Sequence, residues 1–167
     1  MKVVEGIADI ADLDIFLGRL DDIATTHGVS VQAFDARYVV GRQQLARAVE
    51  LADRAFARDE NVARERSVEI LLYAAGRRQI DDALEMGVSG GRTPAVVVVS
   101  AADGDAERET AAADAVRDEL ALEPTLDTVD ADRVRAFFDV TAAELDAVDG
   151  DLLALVCERV ALLDVGK

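Results

Sequence analysis

Two adjacent arginines, Arg77 and Arg78, follow Gly76 directly. The pattern predicts that Gly76 stops one helix and that the arginine pair opens the next. A helix N-terminus carries free N–H groups and positive partial charge, so cations there are unfavourable unless an anion is close. The junction therefore points to a bound phosphate or to a carboxylate partner. It closes a larger concentration of positive charge. Arg37, Arg42, Arg47, Arg54, Arg58, Arg64 and Arg66 precede it, so nine of the 18 basic residues lie between positions 37 and 78. That window has a net charge of +3, and the rest of the chain −19. On a helix at about 100° per residue, Leu45, Ala48, Val49, Ala52, Ala55 and Phe56 share one face. Arg47, Arg54 and Arg58 fall within roughly 40° of one another on the other side. Such a stripe either tracks phosphates or pairs with Glu50 and Asp53 on its own helix.

Other reactive residue types do not assemble into a site. The chain has one histidine and one cysteine, so the usual soft ligands cannot build a zinc cluster, and no metal or cofactor is expected. His27 stands where a helix ends, and Cys157 lies among Leu153, Val156 and Val160 as a small core residue. Ser89-Gly90-Gly91-Arg92 lacks the spacing and the Lys-Ser/Thr of a phosphate-binding loop. Asp103-Gly104-Asp105 lacks the spacing of a calcium loop. The acidic pairs Asp21-Asp22, Asp59-Glu60 and Asp81-Asp82 read as surface charge. No nucleophile is paired with a base, so no catalytic residue is expected.

The elements that must position the arginines follow from periodicity. Strands are expected over 2–8, 29–36 and 95–101, the last being the apolar run AVVVVSA. Helices are expected over 12–28, 42–58, 68–75, 77–87 and from about 105 to 120, with short ones near 130–138 and 141–147 and an apolar one over 150–163. Residues 89–94 read as a turn. Few strands among many helices give an α/β (α+β) fold with a small sheet packed against helices, as a single domain over 1–167.

The whole chain agrees with that scale: 167 residues suit one domain with its own core. Asp and Glu number 34 against 18 Lys and Arg, a net charge of −16, and Lys occurs only at positions 2 and 167. Phosphates are repelled by such a chain in general. The same excess of carboxylate fits a proteome adapted to molar intracellular salt, where charge repulsion is screened within about 3 Å. The net charge then reports habitat and leaves the local arginine cluster to report partners. The opening MKVVEGIADI lacks a charged region followed by a long apolar run, and the longest apolar runs are far short of the ~20 residues that span a bilayer. A cytoplasmic protein with no membrane partner is expected.

One long ordered block carries a resemblance. Gly41-Arg42-Gln43-Gln44-Leu45, Ala55-Phe56-Ala57-Arg58, Asn61-Val62-Ala63-Arg64 and, above all, the run from Glu69 through Leu71-Leu72-Tyr73-Ala74-Ala75-Gly76-Arg77-Arg78-Gln79 to Ile80 are involved. It is similar to the kinase-binding regulatory subunit of the archaeal and eukaryotic KEOPS complex, the PRPK-binding-protein family of animals. The strong match covers about 40 residues, and 101–130 match nothing usable. The resemblance implies a mixed α/β domain around a small, mostly antiparallel sheet. It implies a non-catalytic subunit that docks on the complex's kinase-like ATPase and recruits tRNA by its single-stranded 3′ CCA end. A separate transferase subunit then adds threonylcarbamoyl to the adenosine beside the anticodon. The source implied is a halophilic archaeon. The tRNA contacts expected are Arg42, Arg64, Arg66, Arg77, Arg78 and Gln79, with Arg47, Arg54 and Arg58 behind them. Tyr73 is a candidate for stacking on a base, although its place in an apolar run reads more readily as core. The last helix has apolar residues on several sides, so Leu152, Leu153, Val156 and Val160 are candidates to face the kinase subunit, with full burial in the domain's own core as the alternative. Two other readings stay open: a domain or enzyme binding a small phosphorylated metabolite at Arg77 and Arg78, and a protein scaffold in which those arginines pair with acidic residues.

Overall fold

The computed structural model describes residues 1–165, and the chain within it forms two compact units. Met1–Ala36 and Gly87–Thr128 make the first unit, and Arg37–Met86 with the chain from Val129 onward makes the second.

The first unit is a sheet with helices on one face. Its strands are β1 (Lys2–Ile10), β2 (Ser30–Asp35), β3 (Gly91–Ser100) and the short β4 (Ala121–Leu122). Their order is β2-β3-β1-β4, and every pairing is antiparallel. Lys2 lies opposite Val99 and Ile10 opposite Gly91, so β1 and β3 pair along their whole lengths. Alternation along the strands sends Val4, Ala8, Val31, Ala33, Ala95, Val97 and Val99 to one buried face. That face is covered by Phe16 and Leu20 of α1 (Leu13–His27) and by Ala112, Ala113 and Val116 of α5 (Ala106–Arg117). The small residues of α5 let it lie close to the sheet.

Side chains cap both helices where the sequence supplies them. The Asp12 carboxylate accepts from the Ile15 N–H at 3.1 Å, and Gly28 ends α1 at φ 64°. Two further features were not read from the sequence. β3 begins at Gly91, so the turn expected over 89–94 is shorter than predicted. Pro94 is tolerated there because β2 pairs only with residues 95–100 of β3, leaving Pro94 opposite Ile7 alone. β4 is two residues long and carries no periodicity to read.

The second unit is helical. It holds α2 (Arg42–Ala57), α3 (Arg66–Ala75), α4 (Ile80–Ala83), α6 (Ala131–Phe137), α7 (Ala142–Ala147) and α8 (Leu152–Val165). α2 packs against α3 and α8, and its buried stripe of Leu45, Ala48, Val49, Ala52 and Ala55 is the one periodicity predicts. Gln44 is wholly buried yet satisfied: its Oε1 accepts from the Val40 N–H at 2.9 Å, and its Nε2 donates to the Ala74 carbonyl at 3.0 Å. Glu69, also buried, accepts from the N–H groups of Val62 and Ala63 and so pins the 58–65 loop onto α3.

The segment after α3 needs correction. A helix over 77–87 opening on the arginine pair is not formed. Gly76 takes φ 59°, the Arg77 N–H donates to Leu72 O and the Gly76 N–H to Tyr73 O, each at 3.0 Å. These paired bonds end α3 in a left-handed glycine stop. Residues 77–79 then run as irregular chain, Gln79 is the N-cap of α4, and only four α-helical residues precede a tight 3₁₀ turn over Leu84–Met86. The arginine pair therefore lies in the short connection just ahead of the α4 N-cap, outside the helix itself.

Candidate functional site

The connection after α3 forms one wall of a cleft of about 330 Å³ that lies wholly within the helical unit. Gly76, Arg77 and Arg78 come from that connection; Phe138 and Asp139 come from the end of α6, and Arg159 and Leu162 from α8. Three arginines thus converge on one concavity, and two of them are held in place.

Arg77 is fixed by the end of α6. Its Nη2 donates to the Phe137 carbonyl, and its guanidinium lies over the Phe137 ring, 4.5 Å from the centroid. The ring is itself set by aromatic neighbours. Tyr38 meets it edge-on at 5.4 Å and Phe138 at 5.0 Å, and Arg133 lies over Tyr38 at 5.4 Å. The Tyr38 hydroxyl donates to Glu85 at 3.0 Å. Burial, reinforced by Glu85 and opposed by Arg133, raises the Tyr38 pKa above the ordinary tyrosine value.

Arg159 is fixed by the same turn. Its Nε donates to the Phe138 carbonyl and its Nη2 to the Asp139 carbonyl, both at 3.3 Å, and Nη2 also pairs with Glu144 at 2.7 Å. A cation on the last carbonyls of α6 is electrostatically favourable. Glu144 belongs to the capping box of α7 with Thr141. The Arg159 hydrogen bond, followed by that of the Thr141 N–H, holds the Glu144 pKa below the usual carboxylate range.

Two charged side chains of the cleft remain uncommitted. Arg78 and Asp139 are both exposed, and neither side chain has a hydrogen bond or ion pair among the described residues. The same cleft is lined by apolar side chains, Leu162, 52% exposed, and the buried Leu163. The arrangement can neutralise an anion at Arg78, offer an acceptor at Asp139 and cover a flat apolar group at Leu162.

The other arginines separate by their partners. Arg66 is engaged by Asp53, with Nε at 2.6 Å and Nη2 at 3.1 Å from its two carboxylate oxygens. Arg47 and Arg54 share Glu50 at 2.8 and 3.3 Å, and Arg54 also lies 3.7 Å from Asp164. The stripe on α2 is thus largely neutralised by its own neighbours. Arg42 is exposed in the first turn of α2, while Arg58 and Arg64 are exposed in the 58–65 stretch without a partner among the described residues. Gln79 is exposed beside the cleft. The cleft gathers Arg77 and Arg78 from the expected contacts and adds Arg159 and Asp139, which sequence reasoning missed. Arg159 is the only arginine after Arg135, in a mostly apolar helix, and that isolation was the available signal.

Burial decides between the two readings of Tyr73 and corrects part of the expectation for α8. Tyr73 is completely buried, with its hydroxyl donating to Asp164 at 3.0 Å, so its ring is a core group and offers no face to a base. Val156 and Val160 are completely buried inside the helical unit and cannot face another protein. Leu152 and Leu153 are half-buried and keep part of their surface.

Among the described residues no three His, Cys, Asp or Glu side chains come together as a metal site, and no helix is long and apolar enough to cross a membrane. The family model described as kinase binding protein CGI-121 matches residues 16–164. No curated protein matches the chain significantly.

Proposed function

The chain belongs to the CGI-121 family of kinase-binding proteins, and on that premise we propose that it is the non-catalytic regulatory subunit of a KEOPS complex. In this reading it binds the kinase-like ATPase subunit and recruits tRNA by the single-stranded 3′ CCA end. The transferase subunit then modifies the adenosine next to the anticodon. The observation that carries the tRNA half is the cleft: Arg77 and Arg159 are fixed on backbone carbonyls, and Arg78 projects without a partner beside an exposed leucine. Single-stranded RNA ends are held by phosphate contacts together with surfaces for unstacked bases, and the cleft offers both. Gln79 next to Arg78, and Arg42 and Arg64 elsewhere on the second unit, are further contacts in this proposal. The half-buried Leu152 and Leu153 at the start of α8 supply apolar surface for the kinase contact.

The two units are joined by three passages of the chain, after Ala36, Met86 and Thr128, and act as one domain in this proposal. The chain works in the cytoplasm of a salt-adapted archaeon, where its carboxylate excess is screened. Because salt weakens the ionic part of RNA binding steeply, directed hydrogen bonds and base contacts supply the rest.

The test is binding of the full chain to intact tRNA and to tRNA lacking its CCA end, in molar KCl, with co-elution of the kinase-like subunit measured alongside. Loss of binding on trimming is the expected result. Equal binding to both tRNAs would overturn end recognition. Co-elution with the kinase subunit but no binding to either tRNA would leave a scaffold. Competition by a small phosphorylated metabolite in place of tRNA would favour the metabolite reading.

A further inference from the structure

A site built only to hold phosphate would leave positive groups free and no negative ones. The cleft does not have that composition. Of its charged side chains, Arg77 and Arg159 are committed to backbone carbonyls and Glu144, and the two left over are one cation, Arg78, and one anion, Asp139. They do not pair with each other among the described residues, so each keeps its full capacity for a ligand. Asp139 is held in place without using its carboxylate. It sits at φ 54° in the turn after α6; its N–H donates to Ala136 O, and its carbonyl accepts from Arg159. An ionised carboxylate only accepts hydrogen bonds, so its ligand must present donors. The complement is a group that carries both an anion and hydroxyl donors, with Leu162 of the same lining offering apolar contact.

We infer that the cleft reads the free end of an RNA chain: Arg78 takes the last phosphodiester, and Asp139 accepts hydrogen bonds from the unmodified ribose hydroxyls of the terminal nucleoside. The inference rests on the tRNA-end reading above and adds what that reading lacks, a chemical criterion for which ends are accepted. An end bearing a 3′-phosphate loses a donor and sets a second anion against Asp139. An end esterified on its ribose loses a donor and adds bulk. In an arginine-only site an extra phosphate would tighten binding; here it weakens it.

The measurement is the affinity of the full chain for one tRNA in three forms: free 3′-hydroxyl, 3′-phosphate, and trimmed of its CCA end. Each is compared for the native chain, Asp139→Asn and Asp139→Gly. Asn and Gly both tolerate the left-handed backbone of this turn, so the variants keep the fold, which an unchanged melting temperature verifies. A hydrogen bond to a charged group accounts for roughly tenfold or more in affinity. The native chain is therefore expected to bind the free hydroxyl form at least about tenfold more tightly than the 3′-phosphate form. In Asp139→Gly the two are expected to converge, chiefly through improved binding of the phosphate form. Equal affinities of the native chain for both forms, with the trimmed form weak, would overturn this inference and leave end recognition standing. Undiminished preference in Asp139→Gly would overturn the role of Asp139. Equal affinities for all three forms would overturn the inference together with the reading beneath it.

Discussion

Arg77 and Arg78 are neighbours in the chain but are held differently. Arg77 donates to the Phe137 carbonyl and covers the Phe137 ring, so its charge is tied to the end of α6. Arg78 has no partner among the described residues and is exposed on the same cleft. Truncating them should separate stability from binding. Arg77→Ala removes a charged hydrogen bond and a cation–π contact, and should lower unfolding free energy by about 1–3 kcal/mol. Arg78→Ala removes neither and should leave stability within about 0.5 kcal/mol, as exposed substitutions do, while weakening tRNA binding. Urea denaturation and tRNA titration of both variants check this. Equal stability losses would show that Arg78 is also a structural group. The sequence placed both residues at a site but could not rank them, because what distinguishes them is a carbonyl and a ring 60 residues away.

At the scale of elements, the two tyrosines report on the helical unit. Tyr38 belongs to the aromatic cluster and Tyr73 to the last turn of α3, and the chain has no tryptophan to mask them. Burial, the carboxylate of Glu85 at Tyr38 and that of Asp164 at Tyr73 all raise their pKa values. A group whose pKa is raised on folding contributes stability that is complete below its unfolded value, about 10 for tyrosine, and lost as pH rises through the folded value. Phenolate absorbance should therefore stay low past pH 10 and then appear together with the loss of helical circular dichroism. A smooth titration centred near 10 with the helix intact would show that the rings are accessible. The same elements show what the sequence made legible. The helices with a clear apolar stripe, such as α2 with Leu45, Ala48 and Ala52, and the valine run of β3 were readable because their burial follows the period of their own backbone. The stretch after Gly76 was misread because its alternation of Ile80, Ala83 and Leu84 looks helical. The left-handed stop and the pull of Phe137 on Arg77 shorten it to four α-helical residues and a 3₁₀ turn. Tyr73, in the apolar run of α3, takes the core role, whereas Val160 was misassigned: α8 carries apolar residues on several sides, and periodicity cannot distinguish those that are buried, Val156 and Val160, from one that stays exposed, Leu162.

At the scale of the whole molecule, the dominant quantity is the net charge of −16 on 167 residues. Like charges at that density oppose compaction, and the opposition depends on how far each field reaches. The Debye length falls from about 10 Å at 0.1 M salt to about 3 Å at 1 M. Pairs within hydrogen-bond distance, such as Arg66 with Asp53, survive that change, whereas repulsion between separate carboxylates does not. Raising KCl over this range at pH 7 should therefore raise the thermal midpoint. A relief of about 2–3 kcal/mol corresponds to roughly 5–10 °C for a chain of this size. Acid provides the control. Near the sequence pI of 4.3 the net charge vanishes and the repulsion with it, so the increment from salt should also vanish there. Acid also acts in the opposite direction on single groups. The pKa of Glu144 is lowered by Arg159, so its contribution is complete above the unfolded carboxylate value and fades as pH falls through the folded one. The midpoint in low salt at pH 4.3 thus reflects relief of repulsion against loss of such pairs, and the salt increment, taken at each pH separately, isolates the repulsion. An increment of the same size at both pH values would mean that KCl acts through hydration of the buried surface and that the carboxylate excess does not set the salt requirement.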